Sequence, residues 1–387
     1  MKVASTNRLR LLTVLCVLCL PCQTQTSLQR PLGSGSDRTQ QPTYPSQPQV
    51  TQAREELQKG TALTRQGRFN EAIPHLLAAQ KILQNEYALQ FNLSLCYVGV
   101  GDYSRAISAL DGLRRRGHDN ANVENLLAQA YVGNGQDGEA LAAVERAASI
   151  SPQDEKLFTF VADACMDRQD FEFGLKVIDL GLAKFPQSAR LHYARAMLLS
   201  ELDQLDRAKE DFARASKLGQ GSEVGYLAAA QQKMFEGSIN DAIQIAREGM
   251  NNGIEDSALL EILGKALLRS GVMPGQTEFN EAQSALEKSV SEHPNDAGAQ
   301  IALAQVYLQA GRFDDAIAHL DVAQRMRPNQ PSIYASLAKA YQRKGDSQRA
   351  QEALQKLEAL NQTQAERIRS APGERKMSYG GSSPAPQ

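Results

Sequence analysis

Residues 297–330 read AGAQIALAQVYLQAGRFDDAIAHLDVAQRMRPNQ, and this stretch decides the fold. Gly311 stands at its fifteenth place, and the same place recurs at Gly67, Gly101 and Gly135, each 34 residues from the next. Ala72, Ala106 and Ala140 keep the same spacing. A fixed period of this length marks a repeat architecture, so it is read before any single element. It predicts units starting at Ala53, Tyr87, Ala121, Glu155, Ala189, Glu223, Ser257, Ala297 and Pro331, the seventh lengthened by six residues around VMPGQTE (272–278).

The columns of this alignment are chemically uniform. The eighth place is always small, as in Gly60, Ser94, Ala128 and Ala304, and so is the twentieth, as in Ala72, Gly174 and Ala316. The twenty-fourth is always apolar, as in Leu76, Leu110, Ile178 and Phe212. Within a unit, apolar residues recur at spacings of three and four (Leu93, Tyr97, Val100), as on an amphipathic helix. A turn such as Gly101-Asp102 breaks that helix, and a second begins near Ser104. Small residues let the two helices of a hairpin approach closely, ridge into groove. Pro152, Pro186, Pro294 and Pro328 end second helices. One hairpin cannot bury its apolar face alone, whereas stacked neighbours can. Pro74 removes one backbone bond from a second helix and predicts some fraying there.

These units resemble tetratricopeptide repeats, whose pattern has small residues at places 8, 20 and 27, aromatics at 11 and 17, and Pro at 32. The resemblance covers residues 53–361 and departs locally: Gln169 and Asp203 stand where the turn Gly belongs, and Arg195 and Lys233 fill apolar slots. It implies an all-α, right-handed superhelical solenoid of about nine helix-turn-helix repeats (53–86, 87–120, 121–154, 155–188, 189–222, 223–256, 257–296, 297–330 and 331–361). It further implies that first helices line a concave groove for a protein or peptide. Places 2, 5, 9, 12 and 13 would face that groove, which selects Phe91, Leu95, Val98, Asn125, Gln129, Tyr193, Met197, Leu227, Gln231, Met234 and Phe235 as partner-binding residues. Apolar and amide groups together suit a peptide, because Met adapts its shape and amides pair with backbone. Packing between helices is the competing role for the Leu, Met and Phe members. Arg146, on a second helix, reads as a solvent-facing site. The lysine-asparagine carboxylate clamp of some family members is absent, with Leu57 and Thr61 in its first two places.

Outside the repeats the chain changes character. Lys2, Arg8 and Arg10 precede the apolar run LLTVLCVLCL (11–20), which is shorter than the roughly 20 residues a membrane span needs. Residues 1–24 therefore read as a signal peptide, which makes the chain exported, to the periplasm or the exterior, with no transmembrane segment in the mature form. A lipid anchor at Cys22 competes, but Pro21 stands where a lipobox wants a small residue. Residues 25–52, rich in Gln, Pro, Ser and Thr, read as a disordered linker, and 362–387 as a short helical extension followed by a disordered tail.

Catalytic chemistry is not visible in the 387 residues. There is no HExxH, GxxxxGK[ST], GxSxG or calcium loop. The five histidines are scattered and read as surface or groove residues, and no Cys/His spacing suits zinc. Cys96 and Cys165 lie two repeats apart, too far for a disulfide, and read as small buried residues. A net charge of −2 with mixed signs excludes the basic footprint of a nucleic-acid binder. The sequence thus points to a non-enzymatic scaffold without cofactor or metal, whose partner is a protein or peptide. A polysaccharide or envelope-polymer array is the alternative, disfavoured by the 6 % aromatic content and the lack of Trp. An enzyme is a third reading without a supporting cluster. N-terminal sequencing of the mature protein should find a start between Cys22 and Leu28; intact Met1 in a cytosolic fraction would refute export.

Overall fold

The computed structural model describes residues 45–370, with side chains to residue 363. Among these residues there are eighteen helices and no strand. They follow as α1 (Gln47–Arg65), α2 (Phe69–Gln80), α3 (Tyr87–Val100), α4 (Tyr103–Arg115), α5 (Ala121–Asn134), α6 (Asp137–Ile150), α7 (Lys156–Arg168), α8 (Phe171–Lys184) and α9 (Ala189–Glu201). The second half comprises α10 (Leu205–Leu218), α11 (Glu223–Glu236), α12 (Ile239–Asn251), α13 (Ser257–Arg269), α14 (Thr277–Glu292), α15 (Ala297–Gln309), α16 (Phe313–Met326), α17 (Pro331–Lys344) and α18 (Ser347–Ser370). Each odd-numbered helix packs on the even-numbered one after it, and each even-numbered helix packs on the next odd one. The result is an all-helical repeat solenoid.

The small columns sit where two helices touch. A methyl placed on Gly60 would lie 2.6 Å from Leu76 across the first hairpin. Ala72, Leu76, Ala106, Leu110, Ala316 and Leu320 are completely inaccessible to solvent, so these columns are the core itself. Gly101 ends α3 in the left-handed region at φ 78°, and the Asp102 carboxylate then accepts from Arg105 N at 3.2 Å to start α4. Gly thus stops one helix and Asp caps the next, which is how two residues turn the chain through a hairpin.

Three expectations change, and one, the lengthened loop of the seventh unit, holds. α1 begins at Gln47, inside the segment read as a linker: Gln49 Oε1 accepts from Ser46 N at 2.8 Å, and Pro48 suits a first turn. α2 runs unbroken through Pro74, held by the buried Leu76 and Ala79 that follow it. The six extra residues of the seventh unit form the loop between α13 and α14, with Met273 60 % exposed at its tip. His192 is a buried residue rather than a surface one. Residues 1–24, read as a signal peptide, residues 25–44 and those from 371 lie outside the described residues.

Where the turn Gly is missing, the backbone keeps its conformation. Gln169 and Asp203 adopt φ 62° and 59°, the positive-φ non-glycine residues of the described chain. A Cβ in this region costs roughly 1–2 kcal/mol. Gln169→Gly should therefore stabilise the array by about 1 kcal/mol once glycine's greater unfolded-state entropy is deducted. Asp203→Gly should gain less, because Asp tolerates this region. Urea unfolding checks both; an unchanged or lower midpoint for Gln169→Gly would refute the argument.

Candidate binding groove

Neighbouring first helices touch throughout the array (α1–α3, α3–α5, α5–α7 and onward to α15–α17), whereas among second helices only α6 and α8 meet. Helices in contact with both neighbours must lie on the smaller radius of a curved array. First helices therefore form the inner face.

The side chains selected from the sequence divide in two on this face. Phe91, Val98, Asn125, Gln129, Leu227 and Met234 are buried, so they are not open groove contacts. Leu95, Tyr193, Met197, Gln231 and Phe235 keep part of their surface. The helical wheel explains the division. Places 5 and 12 are two turns apart, on one stripe, and that stripe meets the adjacent first helix; place 9 is rotated from it by roughly 40–60° at 100° per residue. Place 9 accordingly stays accessible at Leu95, Asp163, Met197, Gln231 and Lys265.

Two of the selected residues depart from this rule: Tyr193, at place 5, keeps part of its surface, and Gln129, at place 9, is buried. Asn125 Nδ2 donates to Leu157 O of the next hairpin at 2.7 Å, and Gln129 Nε2 donates to Asn125 Oδ1 at 2.8 Å. These two amides therefore tie α5 to α7 instead of awaiting a partner, although Gln129 Oε1 is buried without a hydrogen bond.

The accessible residues converge best at α9 and α11. Tyr193 meets the buried Phe212 edge-on at 5.7 Å between ring centroids, and Phe235 stacks on the same ring at 5.5 Å. Met197 packs on this cluster too. Tyr193, Met197 and Phe235 thus make an apolar patch around the Phe212 ring, and the half-buried Gln231 lies one turn before Phe235 on α11.

Beside the patch lies a charged network that the sequence showed only as an anomaly at Arg195. Arg195 Nε and Nη2 donate to the two oxygens of Asp211 at 2.7 and 2.8 Å, and its Nη1 donates to Asp179 at 3.1 Å. His192 Nδ1 lies 2.8 Å from Asp211 Oδ1, and its Nε2 lies 3.1 Å from Pro186 O. A bidentate guanidinium here joins α9 to α10, where Glu56–His75 and Gln300–His319 make single polar contacts across their own hairpins. Farther along, Glu261 pairs with Lys265; burial alone would lower the lysine pKa, but this carboxylate holds it above the usual ammonium range. Arg146 is also not a bystander, since its Nε donates to the fully buried Glu124 at 2.7 Å.

One contact crosses the array. Arg327 Nη1 reaches Glu201 Oε1 at 3.4 Å, 126 residues away, joining the α9–α10 hairpin to the segment after α16. Around Arg327, Met166, Asp167 and Gln169 face Asn295, Ala297 and Met326 across a small hollow.

Among the described residues Cys96 and Cys165 are both free and buried; Cys96 lies 3.1 Å from Thr64 Oγ1, and burial pushes its thiol up to about 11. Among the described residues no group of three His, Cys, Asp or Glu could hold a metal, and no helix is long and apolar enough to cross a membrane.

Known sequences and structures bear on this architecture. Two family profiles, both described as "Tetratricopeptide repeat", match residues 63–130 and 275–339, and residues 125–154, 189–218 and 331–364. The chain is 26 % identical over 278 residues to "Cellulose synthase operon protein C" of Xanthomonas axonopodis pv. citri, covering 67 % of this chain and 17 % of that protein. It is 22 % identical over 254 residues to "TPR repeat-containing protein YpiA" of Bacillus subtilis, covering 64 % and 57 %. The chain thus spans well under two thirds of either relative. A structure of the human IFIT1 dimer with PPP-AAAA superposes with a TM-score of 0.50 at 14 % identity, over 85 % of each chain, a likeness of fold.

Core and groove amides separate by mutation. Asn125→Ala leaves Leu157 O and Gln129 without their partner, and should cost about 2–3 kcal/mol, the penalty for orphaned buried polar groups. Gln231→Ala should change stability by less than about 0.5 kcal/mol, as expected away from buried features. Equal losses in thermal or urea unfolding would refute the division.

Proposed function

Because the chain belongs to the tetratricopeptide-repeat family, we propose that it is an exported, non-enzymatic scaffold that holds a protein or peptide along its inner face. The observation that carries this reading is the convergence of Tyr193, Met197 and Phe235 over the buried Phe212 ring, with Gln231 half-buried one turn before Phe235 on α11. Tyr and Phe supply contact area at small entropic cost, Met follows the shape of its guest, and an amide can meet the guest's backbone. Export rests on the n-region and apolar run of residues 1–24, and the periplasm or the exterior is the place it implies. Assembly or secretion at the cell envelope is the process that such a scaffold suits.

A second reading has one support. A relative is named for a cellulose synthase operon, and the Tyr193–Phe235 patch could stack on sugar rings. The amide and Met at the patch favour the peptide.

Selection of a displayed random-peptide library on the full chain tests the proposal, with cello-oligosaccharide titration as the parallel arm. Tyr193→Ala or Met197→Ala should weaken selected peptides by roughly 1–3 kcal/mol, the range for anchors that dominate an interface. Arg214→Glu, exposed on α10, should leave binding intact. Saccharide binding lost on Tyr193→Ala would move the reading to the polymer array. Peptide binding unchanged in both patch variants would place the surface elsewhere.

A further inference from the structure

Among the described residues the array is polar at its first hairpin and partly apolar at its last. Places 3 and 7 of a first helix face the preceding hairpin: in α3 they are Leu89 and Leu93, 0 % and 1 % exposed. In α1 they are Glu55 and Lys59, both exposed. A terminal hairpin needs such a polar outer face.

The last hairpin sets leucines among the polar residues of this face. Place 27 of a second helix faces place 3 of the next hairpin, as Gly249 and Gly181 show: a Cβ there would lie 2.8 Å from Leu259 and 3.1 Å from Leu191, respectively. In α18 this place is Leu357, half-buried against the core of the last hairpins, with no further hairpin beyond it among the described residues. At place 24, Leu76, Leu110 and Leu320 are 0 % exposed, but Leu354 is 43 % exposed. Leu354 and Leu357 line a shallow hollow with Glu358, Asn361 and Gln362. α18 is also 24 residues long against 14 for its partner α17. A projecting helical segment of about ten residues is marginal in water without a packing partner.

We propose that this end is covered by the same end of a second copy, with α18 of each chain packed on the other about a two-fold axis. Three observations choose that occupant. Head-to-tail stacking would set Leu354 and Leu357 against Glu55 and Lys59, which penalises an open filament. The sequence after α18, APGERKMSYGGSSPAPQ, has no apolar period and cannot supply an amphipathic covering helix. An isologous contact covers both open ends, supports both projecting segments and closes at two copies.

Sedimentation velocity of the full chain over a concentration series tests this. The expected result is a monomer–dimer equilibrium that stops at two copies. Leu354→Glu should raise the dissociation constant about thirtyfold or more, the loss of a dominant contact, with helicity and melting unchanged. Leu354→Ser, a milder change at the same exposed site, should weaken the dimer likewise should the glutamate variant lose helicity. Met250→Glu, at a 36 % exposed site on α12, should leave the dimer intact. A wild type that stays monomeric, association that runs past two copies, or a dimer that survives both Leu354 changes overturns the proposal.

Discussion

Each hairpin of this chain carries an apolar surface that only the next hairpin can cover. That requirement governs the rest. The helices must come close enough for interdigitation, so a methyl at Gly60 would already collide with Leu76. Close approach demands small residues at fixed intervals, and the interval must repeat because the covering surface repeats. Curvature follows from the same contact: first helices press on one another along one side, and second helices scarcely meet. The inner face is thus a by-product of packing, and whatever binds there uses the surface that packing leaves over.

Contacts that rest on period were legible in advance. The columns beginning with Gly60, Ala72 and Leu76 imply helix pairs, because a helix shows its buried stripe in the spacing of its apolar residues. The unexpected first turn of α1 was hidden because Gln47, Pro48 and Gln49 carry no apolar period; their order comes from a local cap. Gln169 and Asp203 lacked the turn's usual residue, yet the turn persists because the flanking helices over-determine it. Tertiary packing there overrides local preference.

The groove was legible in part, and the reason is rotational. The family pattern selects places 5, 9 and 12 together, but a rotation of roughly 40–60° separates a side chain wedged between helices from one that faces solvent. Phe91, Leu227 and Met234 fall on the wedged side, Met197 and Gln231 on the accessible one. Hydropathy cannot make that distinction, since Met234 and Met197 are the same residue in successive hairpins. The Arg195–Asp211–His192 network escaped for another reason: its members are 16 and 19 residues apart and only the hairpin brings them together, the 19-residue pairing recurring at Glu56–His75 and Gln300–His319.

A row of hairpins joined only to their neighbours accumulates small angular errors without limit, as a bead chain does. The Arg327–Glu201 contact changes that geometry. It makes the helices from α9 to α16 a closed circuit, in which the rotations from one hairpin to the next must sum to the value that brings the two side chains within reach. A small change in any one crossing angle is then no longer local, because the others must compensate or the contact must part. A pair between partly exposed side chains is worth about 0–1 kcal/mol, so the tie biases this sum without locking it. The array therefore combines a compliant spine with one weak transverse tie.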